Sequence, residues 1–325
     1  MSNVGRHSVD VVFLDQNKWI ELAKVAAGKT TSGNIATLYS QLTVAVDAGK
    51  VIFPLAVSHV IETSKRNDPT SRALLAETQA RLSRGCVYRS RAGRLLVEMQ
   101  QTIRKLFGEP LAELPDNWVI ASGFMQAFEP MDTILASPAE AERVRRFNRL
   151  VDPRVQYIDY MKNQDEATRR SAHVKFTAGA AKLIEGIEKR RALLRGDPTD
   201  VRRRAYNVKL FLDHQDDMIK ATLALGHTFE ELQALGEKAM VALIEDVPTL
   251  NVEAEMAARL ESETRPIDAN DVIDMQSFYT AIPYSNRVVA EKASISRARQ
   301  AKLDARYPAL LSERLESLLD VYLEE

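Results

Sequence analysis

The chain has 325 residues, of which 45% are hydrophobic and 27% charged, so it can bury one large core or two smaller ones and has no bias towards disorder. Its 44 basic and 45 acidic residues give a formal net charge of -1, which excludes a general attraction to nucleic acid or anionic membranes and leaves only local patches for such partners. No apolar run reaches the ~20 residues of a membrane helix, so we expect a cytoplasmic protein with no membrane partner.

The first third of the sequence alternates between strand-like and helix-like patterns. A β-branched apolar run predicts a strand over Val9–Leu14, helical spacing begins at about Trp19, and a second apolar run predicts a strand over Val51–Ala56. Ser58 has the chemistry of an N-cap for the next helix, and residues 86–88 predict a third short strand. This alternation favours an α/β fold with an open parallel sheet flanked by helices.

From about residue 109 to residue 264 the alternation gives way to helical patterns separated by polar loops. Two of these helices have a clear beginning, because Ser137–Glu140 and Thr228–Glu231 match the capping box. We interpret the block as a mostly α-helical insertion or second lobe. The predicted division of the chain is residues 1–108, 109–264 and 265–325.

The alternation of strand and helix resumes near the C-terminus. Val272, Met275 and Phe278 mark one face of a helix, and the apolar residues 288–290 predict a short strand that runs directly into Glu291. The first strand ends in the same way, on Asp15. An apolar strand followed at once by an acid therefore occurs near both ends of the chain.

Acidic residues stand where these strands and helices meet. The five candidates are Asp15 and Glu291 after the first and last strands, Glu62 after the second strand, and Asp271 and Asp274 at the start of the late helix. In an open parallel sheet, ligands bind beyond the carboxyl ends of the strands, so these side chains are expected to converge there. Neighbouring carboxylates repel unless protons or cations offset their charge, and oxygen ligands suit Mg²⁺ or Mn²⁺. The predicted chemistry is hydrolysis of a phosphodiester by metal-activated water.

The stretches VVFLDQNKWIEL, PLAVSHVIET and NDVIDMQSFYTAIPYSNRVVAEK resemble the motifs of PIN-like nucleases. This family includes toxins of bacterial toxin–antitoxin pairs and RNA-processing endonucleases. The resemblance covers residues 9–107 and 265–307, without a counterpart for the helical block. It implies a PIN-like α/β sheet with a Mg²⁺-binding acidic cluster, a metal-dependent endoribonuclease activity and an RNA substrate.

The acidic residues of the family's motifs can be matched to positions in this sequence. Asp15 resembles the first-strand aspartate, Glu62 the acid after the second strand, and Glu291 the last acid, where the family more often has aspartate. The third family acid falls on Asp271 or Asp274, and we favour Asp271 slightly. Both lie three residues apart on one helix, so both can face one site.

Each acid also fits an ordinary structural role that does not involve a metal ion. Asp15 suits an N-cap, the two aspartates of the late helix suit its dipole, and the two glutamates suit a solvated surface. Asp268 and Glu98 are further acids, but Asp268 suits the cap of the late helix and Glu98 a solvated position. These roles leave the repeated arrangement of strand and acid unexplained. The alternative function is a nucleic-acid-binding or protein-interaction module without turnover, which the glutamate at position 291 keeps open.

Basic residues cluster in the helical block and after the last acid. The runs lie at residues 143–149, 189–195 and 202–204. Such stripes can follow a phosphate backbone, although solvated faces balanced by nearby acids explain any single run equally well. The candidate nucleic-acid contacts are Arg190, Arg191, Arg203, Lys292 and Arg297. The helical block is also the expected surface for an inhibitor or partner protein, and the sequence leaves open a homo-oligomer and a toxin, defence or processing role.

Overall fold

The computed structural model describes residues 9–29, 33–129 and 151–323, together with the single residues 139, 142, 146 and 150. The strands are β1 (Asp10–Leu14), β2 (Val51–Ile52), β3 (Cys86–Tyr88), β4 (Ile120–Ser122), β5 (Arg287–Val289) and β6 (Leu310–Ser312). The helices before residue 130 are α1 (Gln16–Ala26), α2 (Gly33–Asp47), α3 (Val57–Ser64), α4 (Pro69–Ser83) and α5 (Arg91–Leu106).

The helices after residue 150 make up most of the remaining chain. They are α6 (Pro153–Asn163), α7 (Glu166–Leu193), α8 (Thr199–Asp213), α9 (Gln215–Ala224), α10 (Phe229–Ala234), α11 (Glu237–Glu245), α12 (Pro248–Ser262), α13 (Ala269–Tyr284), α14 (Lys292–Gln300) and α15 (Leu303–Arg306). Within the described ranges, no helix combines the length and the apolar character needed to cross a membrane.

A four-stranded parallel sheet in the order β2-β1-β5-β6 lies at the centre of the fold. The register between β1 and β5 sets Leu14 opposite Val289, so these two strands end side by side. A parallel bridge from Leu55 to Val87 links this sheet to β3, which pairs with β4 in the antiparallel direction. The predicted α/β fold, with a parallel sheet flanked by helices, is confirmed.

The short strands are the elements that sequence patterns predict least well. The strands predicted at residues 9–14 and 51–56 are confirmed with shorter bounds, the one at 86–88 with the same bounds and the one at 288–290 with a shift of one residue, but β4 and β6 were not predicted. Both have three residues, which is too short for an alternating pattern to stand out. As a result, the block that we expected to be helical contains a strand.

Two predicted helix starts have different outcomes. Ser58 is not an N-cap, because α3 begins at Val57 and its N-cap residue is Ala56. Nδ1 of His59 accepts the backbone N–H of Ala56 at 3.0 Å. The capping box at Thr228–Glu231 is confirmed, with reciprocal bonds of 2.8 and 3.1 Å. Of the box at Ser137–Glu140, residues 137, 138 and 140 lie outside the described residues.

The hydrophobic core covers both faces of the sheet. Side chains alternate along β1, so that Val12 and Leu14 pack with α1, α2 and α4, while Val11 and Phe13 pack on the opposite side. That opposite side includes Tyr206 from α8 and neighbouring residues of α12 and α13. The helical block therefore shares a continuous core with the sheet.

Candidate functional site

The corner between β1 and α1 carries Asp15. Its backbone N–H donates to the carbonyl of Val289 at 2.9 Å, which ties the corner to the end of β5. Its Oδ1 accepts the N–H of Gln16 at 2.7 Å, so the N-cap role is confirmed. A carboxylate offers about four lone-pair positions, and capping uses only one of them. Asp15 is therefore both a cap and a candidate ligand.

Glu291 occupies the equivalent corner after β5, at the start of α14. Its Oε1 accepts a hydrogen bond from the amide of Asn17, in the first turn of α1. Because β1 and β5 are adjacent and parallel and end opposite each other, Asp15 and Glu291 lie at the same edge of the sheet. This is the edge at which ligands bind in open α/β sheets.

Helices α3 and α13 supply the other two acids, Glu62 and Asp274. The helices pack against each other, and the hydroxyls of Ser58 and Ser277 are 2.8 Å apart at their contact. The hydroxyl of Ser294 in α14 donates to Oδ2 of Asp274 at 3.3 Å. Asp274 therefore lies next to the helix that begins at the end of β5.

The charges of these side chains act on the pKa values of three of them, Asp15, Glu62 and Asp274. Burial is the main cause that raises the pKa of Asp15 to about 6, of Glu62 to about 7 and of Asp274 to about 8. The negative charge of Glu291 adds to all three shifts, and Asp15 also acts on the other two. Side chains far apart would not perturb each other in this way. We call Asp15, Glu62, Asp274 and Glu291 the acidic cluster.

Asp271, which the sequence slightly favoured, lies outside the acidic cluster. Its Oδ2 accepts from Arg265 and its Oδ1 from Arg297, both at 2.8 Å. Although burial acts to raise its pKa, hydrogen bonds from Arg265, the Asp268 backbone and Arg297 lower it to about 2. Contrary to the slight preference for Asp271, Asp274 is therefore the residue of α13 whose pKa responds to the charges of Asp15, Glu62 and Glu291.

The two further acids have structural roles. Asp268 caps α13, because its Oδ1 accepts the backbone N–H of Asp271 at 3.0 Å. Glu98 is not solvated as expected: it is buried, and its carboxylate accepts the N–H and hydroxyl of Thr249 and the hydroxyl of Tyr284. Glu98 therefore joins α5 to α12 and α13.

Most of the basic residues expected to contact nucleic acid are ion-paired inside the protein. The pairs are Arg190 with Glu261, Arg191 with Glu188, Arg203 with Glu245 and Glu255, and Arg297 with Glu263 and Asp271. Their charges offset buried or half-buried carboxylates, so these four arginines have roles that need no polyanion. Of the basic run at residues 143–149, all but Arg146 lie outside the described residues. Lys292 differs, since it is exposed next to Glu291 and has no hydrogen-bond or ion-pair partner among the described residues.

The sequence did not single out Asn17 and Ser294, which bond to members of the acidic cluster. Each lies in the first helical turn after a strand-end acid, two residues after Asp15 and three residues after Glu291. Polar side chains at these positions are a usable signal, because the first turn of such a helix faces the same edge as the acid. They orient the acids that they contact.

The donor chemistry of the acidic cluster fits a hard divalent cation, since it offers carboxylate oxygens whose repulsion a cation would offset. In the part of the chain that the structure describes, no three His, Cys, Asp or Glu side chains form a constellation that could hold a metal ion as they stand. Direct ligation would therefore require movement of the carboxylates. Comparisons of the chain with protein-family models, curated proteins and solved structures give no match.

Proposed function

We propose that the protein is a PIN-like endoribonuclease that depends on Mg²⁺ or Mn²⁺ and hydrolyses RNA phosphodiester bonds at the acidic cluster. The proposal rests on the placement of four acids from four separate segments, because the charge of Glu291 acts on the other three and Asp15 acts on Glu62 and Asp274, which requires the four to lie near one another. Two of them follow adjacent parallel strands directly, as the sequence resemblance to PIN-like nucleases implies. The alternative is a nucleic-acid-binding module on the same fold.

Asp15, Glu62, Asp274 and Glu291 would hold the cation, and the amide of Asn17 and hydroxyl of Ser294 would orient two of them. When bound, the cation activates a water and offsets charge on the phosphate. The charge of Lys65 acts on Glu62 and favours its ionised form, which is the form that binds a cation. The burial that raises these pKa values also limits the competition of bulk water.

The direct test is cleavage of labelled single-stranded RNA by the purified protein in Mg²⁺, Mn²⁺ or EDTA. We expect cleavage in either metal, none in EDTA, and a loss of about 10²–10³-fold in Asp15→Asn, because one charged ligand is removed. Asparagine is as good an N-cap as aspartate, so the corner should keep its fold. Asp165→Asn, at the exposed cap of α7, is the matched control and should cleave normally.

Two results would reject the mechanism: cleavage that persists in EDTA, and cleavage that Asp15→Asn leaves unchanged. RNA that is bound but never cleaved, with or without metal, would support the alternative of a binding module. Single-stranded DNA of the same sequence, assayed in parallel, identifies the preferred nucleic acid.

A separate prediction concerns how RNA is held next to the acidic cluster. Lys292→Ala should weaken RNA binding and reduce the salt dependence of the affinity by about one released counterion, because an exposed cation contacts a phosphate there. Arg203→Ala should leave the affinity unchanged, since Arg203 is paired with Glu245 and Glu255. Binding is measured by fluorescence anisotropy over a range of KCl concentrations. Equal effects of the two substitutions would contradict this assignment.

A further inference from the structure

A cavity of about 440 Å³ lies apart from the acidic cluster, between α3, α5, α7, α8, α12 and α13. None of the four acids of the cluster lines it. Its volume is in the range of small-molecule sites, which is about 300–1,000 Å³. The helical block and the sheet side of the protein both contribute walls, so the cavity exists only because the two parts pack together.

Arg94 on α5 is the most unusual group in the wall of this cavity. It is only 3% exposed, and it forms no salt bridge with any carboxylate of the described residues. Its Nη1 donates to the carbonyl of Arg89, but its Nε has no hydrogen-bond partner within the described chain. Glu98, one turn further along α5, offsets part of the charge from a distance while it bonds to Thr249 and Tyr284.

A buried cation without a direct counter-charge is costly, and an anionic ligand that pairs with it would remove that cost. Burial also lowers the pKa of Arg94 from its usual value, which has the same physical cause. Arginine binds phosphate through two parallel N–H donors, so an anion with several oxygens fits it best. The charge of Arg94 therefore points to an oxyanion as the occupant of the cavity.

Tyr279 on α13 provides a second unsatisfied donor in the same wall. It is 3% exposed, and its hydroxyl makes no hydrogen bond of full geometry among the residues that the structure describes, although the hydroxyl of Tyr206, which donates to Glu253, lies nearby. Arg91, whose side chain is 36% exposed, also lines the cavity, where it pairs with Glu253 and contacts Nε2 of His214 at 3.1 Å. The half-buried ring of Phe176 supplies an aromatic surface.

We propose that this cavity binds a nucleoside monophosphate group, with its phosphate on Arg94 and Tyr279 and its base against Phe176. The group can belong to a free nucleotide or to an RNA strand, because the chemistry that recognises it is the same. The proposal does not depend on the metal site or on RNA cleavage. The two sites are nevertheless carried by the same helices, since Ser58 and Ser277 in the cavity wall lie within one turn of Glu62 and Asp274.

Isothermal titration calorimetry of the full chain in EDTA tests this proposal with AMP, UMP, inorganic phosphate and adenosine. EDTA keeps the result separate from any failure of the metal site. We expect saturable binding of AMP or UMP, weaker binding of phosphate, and adenosine binding at least about tenfold weaker than AMP, because adenosine lacks the charged acceptor.

Three variants assign the binding to the cavity. Arg94→Met should weaken nucleotide binding by about tenfold or more, and Tyr279→Phe by about three- to tenfold. Arg104→Met is the control, since Arg104 lies on the same helix, outside the cavity wall, and is paired with Glu109 at 3.1 Å. Tyr279→Phe removes only a hydroxyl that makes no hydrogen bond of full geometry within the described chain, so its melting temperature should equal or exceed that of the natural protein.

A 5′-phosphorylated RNA tetramer distinguishes the two sources of the nucleotide. Tighter binding of the tetramer than of AMP assigns the cavity to an RNA strand, and equal binding assigns it to free nucleotides; both support the proposal. The proposal is overturned if neither AMP nor UMP binds saturably, if adenosine binds as tightly as AMP, or if Arg94→Met and Arg104→Met bind nucleotide equally.

Discussion

We expect Asp274→Asn to lose most of the proposed metal-dependent RNA cleavage and Asp271→Asn to retain it, although the two aspartates are three residues apart on α13. Asp274 shares its electrostatic environment with Asp15, Glu62 and Glu291, and its pKa is raised to about 8. Removing its charge should lower the rate by about 10²–10³-fold, as expected for loss of a charged metal ligand. Asp271 is instead paired with Arg265 and Arg297.

For folding stability we expect the opposite order, with a larger loss in Asp271→Asn than in Asp274→Asn. Asp271→Asn leaves Arg297, whose side chain is 6% exposed, with Glu263 as its remaining carboxylate partner, and should lower the free energy of unfolding by about 3 kcal/mol. Cleavage rates and urea unfolding curves of both variants check the pair of expectations. Loss of cleavage in Asp271→Asn at unchanged stability would return Asp271 to the site.

The contrast between these two aspartates shows which site residues can be identified from the sequence alone. The acids at Asp15 and Glu291 were identifiable because each directly follows an apolar strand, and the structure brings both strand ends to one edge. The choice between Asp271 and Asp274 was not identifiable, because it depends on Arg297, which is 26 residues away from Asp271 along the chain. The spacing of residues within one helix does not indicate an ion pair with a residue of another helix.

The basic residues illustrate the same physical limit. Arg190 pairs with Glu261 and Arg203 with Glu245, at separations of 71 and 42 residues. In the sequence these arginines form a stripe, while in the folded protein they offset carboxylates of α11 and α12. Arg94 was not singled out at all, because its distinguishing property is that its buried guanidinium has no carboxylate partner and an unsatisfied Nε within the described residues. Charge patterns in a sequence therefore need the fold before they can be assigned to a ligand.

In the absence of divalent cations, the free energy of unfolding should fall as the pH rises from 6.5 to 8. The folded state raises the pKa of Glu62 to about 7 and of Asp274 to about 8, while in the unfolded chain both groups ionise near pH 4. The folded protein therefore holds more protons in this window, and stability decreases with increasing pH. The contribution of these two raised pKa values to the free energy of unfolding is fully present below about pH 4, and it is lost as the pH rises through about 7 and 8.

The expected decrease is about 2 kcal/mol over this window, since each retained proton contributes ~1.4 kcal/mol per pH unit and the groups are partly solvated. The window begins at pH 6.5 because His59 acts in the opposite direction below it. Burial lowers the pKa of His59 to about 3, so the unfolded chain takes up that proton first as the solution is acidified.

Mg²⁺ should cancel this decrease, because a cation bound only by the folded state stabilises it by about 2.7 kcal/mol at 100 times its dissociation constant. Asp274→Asn should flatten the pH profile in EDTA and remove most of the response to Mg²⁺, since it takes away the group that titrates highest. Asp165→Asn should change neither, because that exposed cap ionises far below the window. Urea unfolding at pH 6.5, 7.25 and 8 measures all three proteins. A flat profile in the unsubstituted protein, together with no response to Mg²⁺, would mean that the four acids do not form a common cation site.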